Sequence, residues 1–490
     1  MIAILMKGHS FQFELENLCQ LFYPNEKIKA FDSPPEDAGI IVDTCLSGAD
    51  IRVSVALSGE IHEEKGSFIP SNNPERQAEL LMSRLLFSIF VKLTGFTPSW
   101  GIATGIRPIK LLNRIREEEG GEHEAVEYFK REFLVSDEKT ALALRTSGYE
   151  KAILDSSRPR SYSLYISIPF CPSRCSYCSF VSESVEKSFG IIDRYLELLL
   201  IELKTISDIV KDYNLTLETV YIGGGTPTIL SASRLELLMK AVKELFDLGT
   251  LREYTVEAGR PDTVTAEKMR VLKKWGATRV SINPQTFNDA VLEKVGRRHT
   301  TAETLEAYEI ARKCSAGMIN MDLIAGLPGD TVESFENTVK RIVELSPENV
   351  TVHTLALKRS SALMSEVLTE FRAHDGHAED MLRIADTYLT DAGYHPYYLY
   401  RQSRTLGNLE NVGWAKDGCD GYYNVYILDE THSILAAGAG AVTKLRQPGS
   451  YNIERVFNYK IPLEYVKGFD EMIKRKETVR RFYETYYKQL

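Results

Sequence analysis

Basic residues are the minority charge in this chain: 59 Lys and Arg stand against 68 Asp and Glu among 490 residues, for a formal net charge of −9. With a pI near 5.7, that balance argues against a general electrostatic footprint for nucleic acid, so no nucleic-acid partner is expected. Long apolar runs are missing too. The most hydrophobic stretch, Leu80 to Leu93, is broken by Arg84 and Lys92 and cannot supply the roughly 20 apolar residues of a membrane span. The first residues, Met1 to Gly8, lack the basic segment and apolar core of an export signal and are expected to form a strand. Cysteine is scarce, with seven residues at 19, 45, 171, 175, 178, 314 and 419. This odd, irregular set excludes a disulfide framework and fits a reducing, cytoplasmic compartment. The nine histidines show no metal-ligand spacing. What is present is 43% hydrophobic residues, ample for the cores of about two to four domains.

Three of the scarce cysteines fall within eight residues. Cys171, Cys175 and Cys178 form C-x3-C-x2-C in the run Pro169 to Phe180. Thiolates suit iron–sulfur clusters, and a [4Fe–4S] cube normally takes four cysteines. Three clustered donors leave one iron open to a substrate or cofactor. Zinc would need a fourth ligand at finger spacing, and no such residue lies near the loop. The other four cysteines read as small core residues.

The middle of the chain has a clear rhythm. Strand-like runs at Ser163 to Ile168, Thr219 to Ile222, Tyr254 to Glu257, Arg279 to Asn283, Ile319 to Ile324 and Val350 to Leu355 alternate with stretches of helical periodicity. Six βα units predict an α/β fold with a parallel sheet, a partial rather than a closed eight-stranded barrel, with chemistry at the carboxyl ends of the strands. The polar and glycine-rich residues fall there: the cysteines after the first strand, Gly223 to Thr228 after the second, Glu257 at the third, Gln285 after the fourth, and Asp322 with Ala325 to Pro328 at the fifth. Asp322 lies in an apolar run, so its carboxylate needs a partner or a ligand. Tyr165 and Gln285 alone read as structural, Arg297 beside Arg298 and His299 as a solvated basic turn or a binding group, and His353 as a pocket or core residue.

The order and spacing of Tyr165-x5-Cys171-x3-Cys175-x2-Cys178, Gly-Gly-Gly-Thr-Pro-Thr at 223–228, Val256-Glu257, Asn283 to Phe287 and Met321 to Pro328 resemble the radical S-adenosylmethionine enzymes. More narrowly, residues 160 to 450 resemble the oxygen-independent coproporphyrinogen III oxidase family. Gly101 to Pro108 and the overall length resemble its HemZ-type, coproporphyrinogen dehydrogenase-like branch. Residues 1–155, with strands near Ile40 to Leu46 and Ile51 to Leu57 and a helix around Pro74 to Lys92, suggest a separate α/β domain of unassigned role. The resemblance implies a partial (β/α)6 radical SAM barrel at 160–365 and a C-terminal α+β substrate-covering domain at 370–490. Gly413-Trp414 and Ala437 to Ala441 match turns of that last domain, and Ser156 to Ser163 reads as a linker. The tail from Ile461 reads as a charged, solvated helix.

The resemblance also implies roles. Cys171, Cys175 and Cys178 would ligate three irons of a [4Fe–4S] cluster, with S-adenosylmethionine chelating the fourth. Gly223, Gly224, Gly225 and Thr226 would let backbone approach its methionine end. Tyr165, Glu257, Gln285, Arg297 and Asp322 match cofactor contacts, Arg297 suiting the carboxylate and the two acids the ribose or the cationic end. The implied chemistry is one-electron cleavage of the sulfonium and hydrogen abstraction from propionates of a tetrapyrrole, with loss of carbon dioxide and formation of two vinyl groups. A reduced flavodoxin- or ferredoxin-like donor and a further electron acceptor would serve a monomer. Arg260, Arg298, Arg401 and Arg404 are candidates for the propionates, and Tyr394 to Tyr400 is either an aromatic wall or a packed strand. Two positions depart from the oxidase pattern. Ser167 stands where a histidine is expected, and Cys178-Ser179-Phe180 replaces Cys-x-Cys, an aromatic shared with the heme chaperones. Two alternatives stay open: a heme chaperone that keeps the cluster, and a radical enzyme that opens or methylates heme.

Overall fold

The computed structural model describes residues 1–178, 183–185, 189–356, 376–402 and 405–487. Among these the chain groups into two compact units, one of residues 1–147, 376–379 and 399–411, the other of 148–356, 380–398 and 412–487.

The first unit carries a five-stranded sheet in the order Ile28–Phe31, Ile2–Lys7, Ile40–Ser47, Asp50–Leu57, Glu60–Ser67. Its first two pairings are parallel and its two hairpins antiparallel. Alternating apolar residues put Val42, Val53 and Val55 wholly inside; helix Gln12–Phe22 packs on the parallel pair Ile2–Lys7 and Ile28–Phe31, and helix Pro74–Thr94 on the last two strands. The second helix starts on Asn73, whose side chain accepts from the Arg76 amide, and stops at Gly95 in the left-handed region. The predicted strands near 40–46 and 51–57 and the helix at 74–92 form. Glu60–Ser67 escaped the sequence reading because it is a polar edge strand paired on one side only. The Gly101 to Pro108 segment also has a local role: Arg401 donates to the carbonyls of Ala103 and Gly105 and lies 5.3 Å over the Trp100 ring. Trp100 and Lys139 in turn hold buried Glu410 at 2.7 and 2.8 Å. Arg401 is therefore a buried structural residue, its charge disfavoured by burial, rather than a group presented to propionates.

The second unit is built on an eleven-stranded sheet. Six parallel strands run Ser161–Ile168, Thr216–Gly224, Glu253–Glu257, Arg279–Ser281, Met318–Ala325 and Asn349–Thr354, in spatial as well as chain order. Between them lie helices Ile192–Asp212, Ala232–Leu245, Ala266–Lys274, Thr301–Cys314 and Val332–Leu345. Four of these begin on a Ser or Thr cap, Ser231, Thr265, Thr300 and Thr331. This is the expected partial barrel: the strands are buried on both faces, as a helix-covered parallel sheet requires. Ser433–Ala437 adds in parallel beside the first barrel strand, and Val442–Arg446 and Ile453–Phe457 continue it antiparallel. At the other edge Glu410–Ala415 pairs antiparallel with the sixth strand.

Two expectations are corrected. The linker read at Ser156 to Ser163 is cut short, because the first strand already begins at Ser161. The tail is not a solvated face. Helix Phe469–Tyr487 buries Met472, Val479, Phe482 and Tyr483, and Lys476, 1% exposed, pairs with fully buried Glu202 at 2.7 Å. Glu202 also accepts from the Gly438 amide, Asn458 and Tyr465 at 2.7–2.8 Å, which fixes the Ala437 to Ala441 turn. Among the described residues, no helix is long and apolar enough to cross a membrane.

Candidate cofactor site

The carboxyl ends of the parallel strands carry the site. The first strand ends at Ile168, whose carbonyl accepts from the Gly225 amide at 2.9 Å, while the Phe170 carbonyl accepts from the Thr226 amide at 2.8 Å. The cysteine loop is thus stitched to the glycine loop. Side chains are excluded there: a Cβ on Gly225 would lie 2.6 and 2.8 Å from Phe170 main-chain atoms, one on Gly224, at φ +107°, 2.9 Å from Ser167 Oγ, and one on Gly223 2.9 Å from the Glu257 carboxylate. Thr226 Oγ1 donates to Cys171 Sγ at 3.4 Å. The Cys178 amide donates to the Cys175 carbonyl, closing a tight turn, and Ser176 pins the loop to the Val295 carbonyl through its amide and hydroxyl. Among the described residues, no three His, Cys, Asp or Glu side chains are already gathered about one metal position. The donor set of three thiols on one stitched loop, beside main chain bared by glycine, fits a cluster with a small-molecule ligand on its open iron.

Glu257 faces the glycines. Tyr221 donates to its carboxylate at 2.5 Å, and Tyr221 stacks on Tyr423 with centroids 4.4 Å apart, Tyr165 lying 6.2 and 6.3 Å from the pair. Burial, aided by the charge of Asp322 and opposed by the bonds from Tyr221 and the Gly224 amide, raises the Glu257 carboxyl to about 7. Burial likewise pushes the Tyr165 phenol up. Sequence reasoning missed Tyr221 and Tyr423. Tyr221 shares a strand face with Gly223 by simple alternation and was findable, whereas nothing in the sequence marks Tyr423.

Asp322 has the partners its setting demanded. Asn283 and Asn320 donate to it at 2.7 Å each and His353 stands 3.8 Å away. Burial opposes its charge, but His353, Asn320 and Thr351 outweigh that and hold its carboxyl below the usual range. Gln285, buried, takes the left-handed conformation at φ +69°, an uncommon and costly one for a side chain of this size. Its amide bonds the Asp322 carbonyl at 2.9 Å, so the strain sits beside the carboxylate. Arg297 is buried rather than in a solvated turn: it donates to Tyr177 and the Asn283 carbonyl at 2.8 Å and to the Gly259 carbonyl, while its Nε is buried without a hydrogen-bond partner. Arg298 is exposed, and His299 is buried and held neutral, its imidazole lowered to about 3 by burial and by Arg297 and Arg260. Phe180 and Arg404 lie outside the described residues. Tyr394 to Tyr400 is a packed strand with Tyr397 inside. The structure therefore brings Tyr165, the glycines, Glu257, Gln285, Asp322 and Arg297 to the strand ends that carry the cysteine loop.

The radical SAM superfamily model matches residues 165–342. The chain is 36% identical, over 95% of both proteins, to the oxygen-independent coproporphyrinogen-III oxidase-like protein HemZ of Bacillus subtilis. It is 37% identical to the heme chaperone HemW of Lactococcus lactis over 64% of this chain and 78% of that one. The solved coproporphyrinogen III oxidase HemN of Escherichia coli, a radical SAM enzyme, shares the fold, with a TM-score of 0.51 at 24% identity over 66% of this chain and 72% of its own.

Proposed function

The chain belongs to the radical SAM family of oxygen-independent coproporphyrinogen-III oxidase-like proteins of HemZ type, whose cofactors are a [4Fe–4S] cluster and S-adenosylmethionine, and from that membership we propose that it decarboxylates the propionates of coproporphyrinogen III to vinyl groups. When bound, the two cofactors supply one-electron cleavage of the sulfonium and hydrogen-atom abstraction; the protein binds, orients and excludes water. In this reading Cys171, Cys175 and Cys178 hold three irons. The bare main chain of Gly223 to Gly225, with Thr226, seats the methionine end. Glu257 and Asp322 would take the ribose hydroxyls or the cationic end, and Arg297, whose Nε has no hydrogen-bond partner, would suit the carboxylate. Tyr165 and Gln285 wall the pocket. The observation that carries the reading is the buried polar shell of strained Gln285, paired Asp322 and Arg297 with its unpartnered Nε beside the cysteine loop, which packing alone does not call for.

Residues 1–155, 160–365 and 370–490 serve as three domains of a monomeric, cytoplasmic protein, with a flavodoxin- or ferredoxin-like donor. A second reading, a heme chaperone that keeps the cluster for another purpose, is favoured by the aromatic Phe180 after the third cysteine and by the similarity to HemW. Anaerobic reconstitution with iron and sulfide, followed by dithionite, S-adenosylmethionine and coproporphyrinogen III, separates them. Loss of two carboxyl groups with release of 5′-deoxyadenosine supports the oxidase. Heme transfer to an acceptor without cofactor consumption supports the chaperone. Cofactor-dependent loss of heme absorbance points to a heme-modifying enzyme.

A further inference from the structure

One arginine at the site has a geometry that substrate binding does not explain. Arg260 follows the third barrel strand and is 3% exposed. Its Nε and Nη2 donate to the two carboxylate oxygens of Asp262 at 3.1 and 3.0 Å. That two-pronged pair fixes the plane of the guanidinium. The remaining nitrogen, Nη1, points into the cysteine loop: 3.0 Å to Ser173 Oγ, 3.3 Å to the Ser173 carbonyl and 4.0 Å to Cys175 Sγ. Ser173 lies between Cys171 and Cys175, so the arginine grips the first limb of the loop and sets a cation against its central sulfur. All three guanidinium nitrogens are engaged, which leaves at most one Nη2 hydrogen for any further ligand.

The loop gathers further donors and positive charge. Thr226, buried, donates to Cys171 Sγ, and buried Arg297 reaches Tyr177, two residues beyond Cys175. Iron–sulfur potentials are set by net charge, hydrogen bonds to the sulfurs and solvent exposure. A cube held by three thiolates is already anionic and gains one more negative charge on reduction. A buried cation within about 4 Å of a ligand sulfur therefore favours the reduced form over the oxidised one, more strongly than an exposed charge would.

We propose that Arg260, locked by Asp262, is a positioning residue that holds the Cys175 limb of the loop and raises the reduction potential of the cluster. This rests on the assignment of the cluster to Cys171, Cys175 and Cys178. The step it governs is a one-electron reduction by an external donor, with no bond made or broken.

The test uses the full chain, reconstituted anaerobically, poised with dithionite and mediators at graded potentials, and followed by the electron paramagnetic resonance of the reduced cluster. Arg260→Gln is expected to lower the midpoint by at least a tenfold change in the reduction equilibrium, about 59 mV for one electron. Arg260→Lys keeps the charge but loses the fork, and is expected to fall between the two. A loaded Gln variant with an unchanged or higher midpoint overturns the proposal. If the Gln variant retains no iron, the Lys variant decides: a midpoint below that of the unsubstituted protein supports the proposal, and an equal or higher one overturns it. Failure of the unsubstituted protein to form any cluster would overturn the cluster assignment, and the proposal with it.

Discussion

Glu257→Gln tests the site through stability before any cofactor is added. The folded chain holds the Glu257 carboxyl at about 7 against a usual 4.5, so between those values the folded protein keeps a proton that the unfolded chain has lost. The stabilisation is fully present below pH 4.5 and is lost as pH rises through 7. At roughly 1.4 kcal/mol per pH unit, the ionised carboxylate costs the fold about 3 kcal/mol above that window. Glutamine imitates the protonated acid and still accepts from Tyr221 and the Gly224 amide, so the variant escapes the cost. In urea titrations of the cofactor-free proteins, the variant is expected to match the unsubstituted protein at or below about pH 4, to exceed it increasingly up to about pH 7, and to keep a constant advantage above that. The same carboxylate should make S-adenosylmethionine bind more tightly between pH 6 and 8 in the unsubstituted protein. The difference from the variant isolates Glu257 from the ligand's own titration. A variant that is less stable at every pH, or whose advantage does not change with pH, would refute the reasoning.

Other changes separate cradle, frame and ligands. Gly225→Ala forces a Cβ against main-chain atoms of Ile168 and Phe170 that cannot swing aside; it is expected to cost ~1–3 kcal/mol and to weaken S-adenosylmethionine binding in equilibrium dialysis. Lys476→Met strands Glu202 without a counter-ion, at ~3–5 kcal/mol, so its thermal midpoint should fall far below that of the exposed control Lys474→Met, and equal midpoints would contradict the buried pair. Alanine at Cys171, Cys175 or Cys178 should each abolish the iron retained after reconstitution and desalting, whereas alanine at Cys19, Cys45, Cys314 or Cys419 should leave it intact.

The barrel was legible because its strands are short, buried on both faces and spaced by amphipathic helices, patterns that survive without tertiary information. The cysteine and glycine loops were legible because their residue types are dictated by chemistry and by sub-van-der-Waals approach. Charged residues were misread where partners far along the chain cancel their apparent exposure. Lys476 is silent until Glu202 is beside it, and Arg401 until the carbonyls of 103 and 105 surround it. Arg260 has its locking partner two residues away at Asp262, but its target across the sheet at Ser173 is 87 residues distant. Local sequence can name the charge; only the fold says which way it is aimed.

Ser167 shows how far that principle reaches into the question of substrate. The oxidase pattern places a histidine here, and a serine in its place could pass for neutral drift. The surroundings say otherwise. Ser167 Oγ donates to the Ala439 carbonyl at 2.7 Å, and its own carbonyl accepts from Tyr195, whose hydroxyl in turn accepts from the Ala439 amide at 2.9 Å. Two glycines close on it: a Cβ on Gly438, at φ +94°, would lie 2.6 Å from its carbonyl oxygen and 3.1 Å from its Cβ, and one on Gly224 2.9 Å from its hydroxyl. The residue is the joint between the Ala437 to Ala441 turn and the glycine cradle, and Glu202 with Lys476 holds that turn from behind. An imidazole has no room without opening one side of this joint. Ser167→His should therefore overpack, at ~1–3 kcal/mol, and should disturb the cradle rather than install oxidase behaviour. A stable Ser167→His protein with unchanged affinity for S-adenosylmethionine would show that the joint is looser than its geometry. The departure from the oxidase pattern is thus a fitted feature of this chain's packing. Residue 167 answers first to the fold, so its identity carries no weight in choosing between oxidase and chaperone.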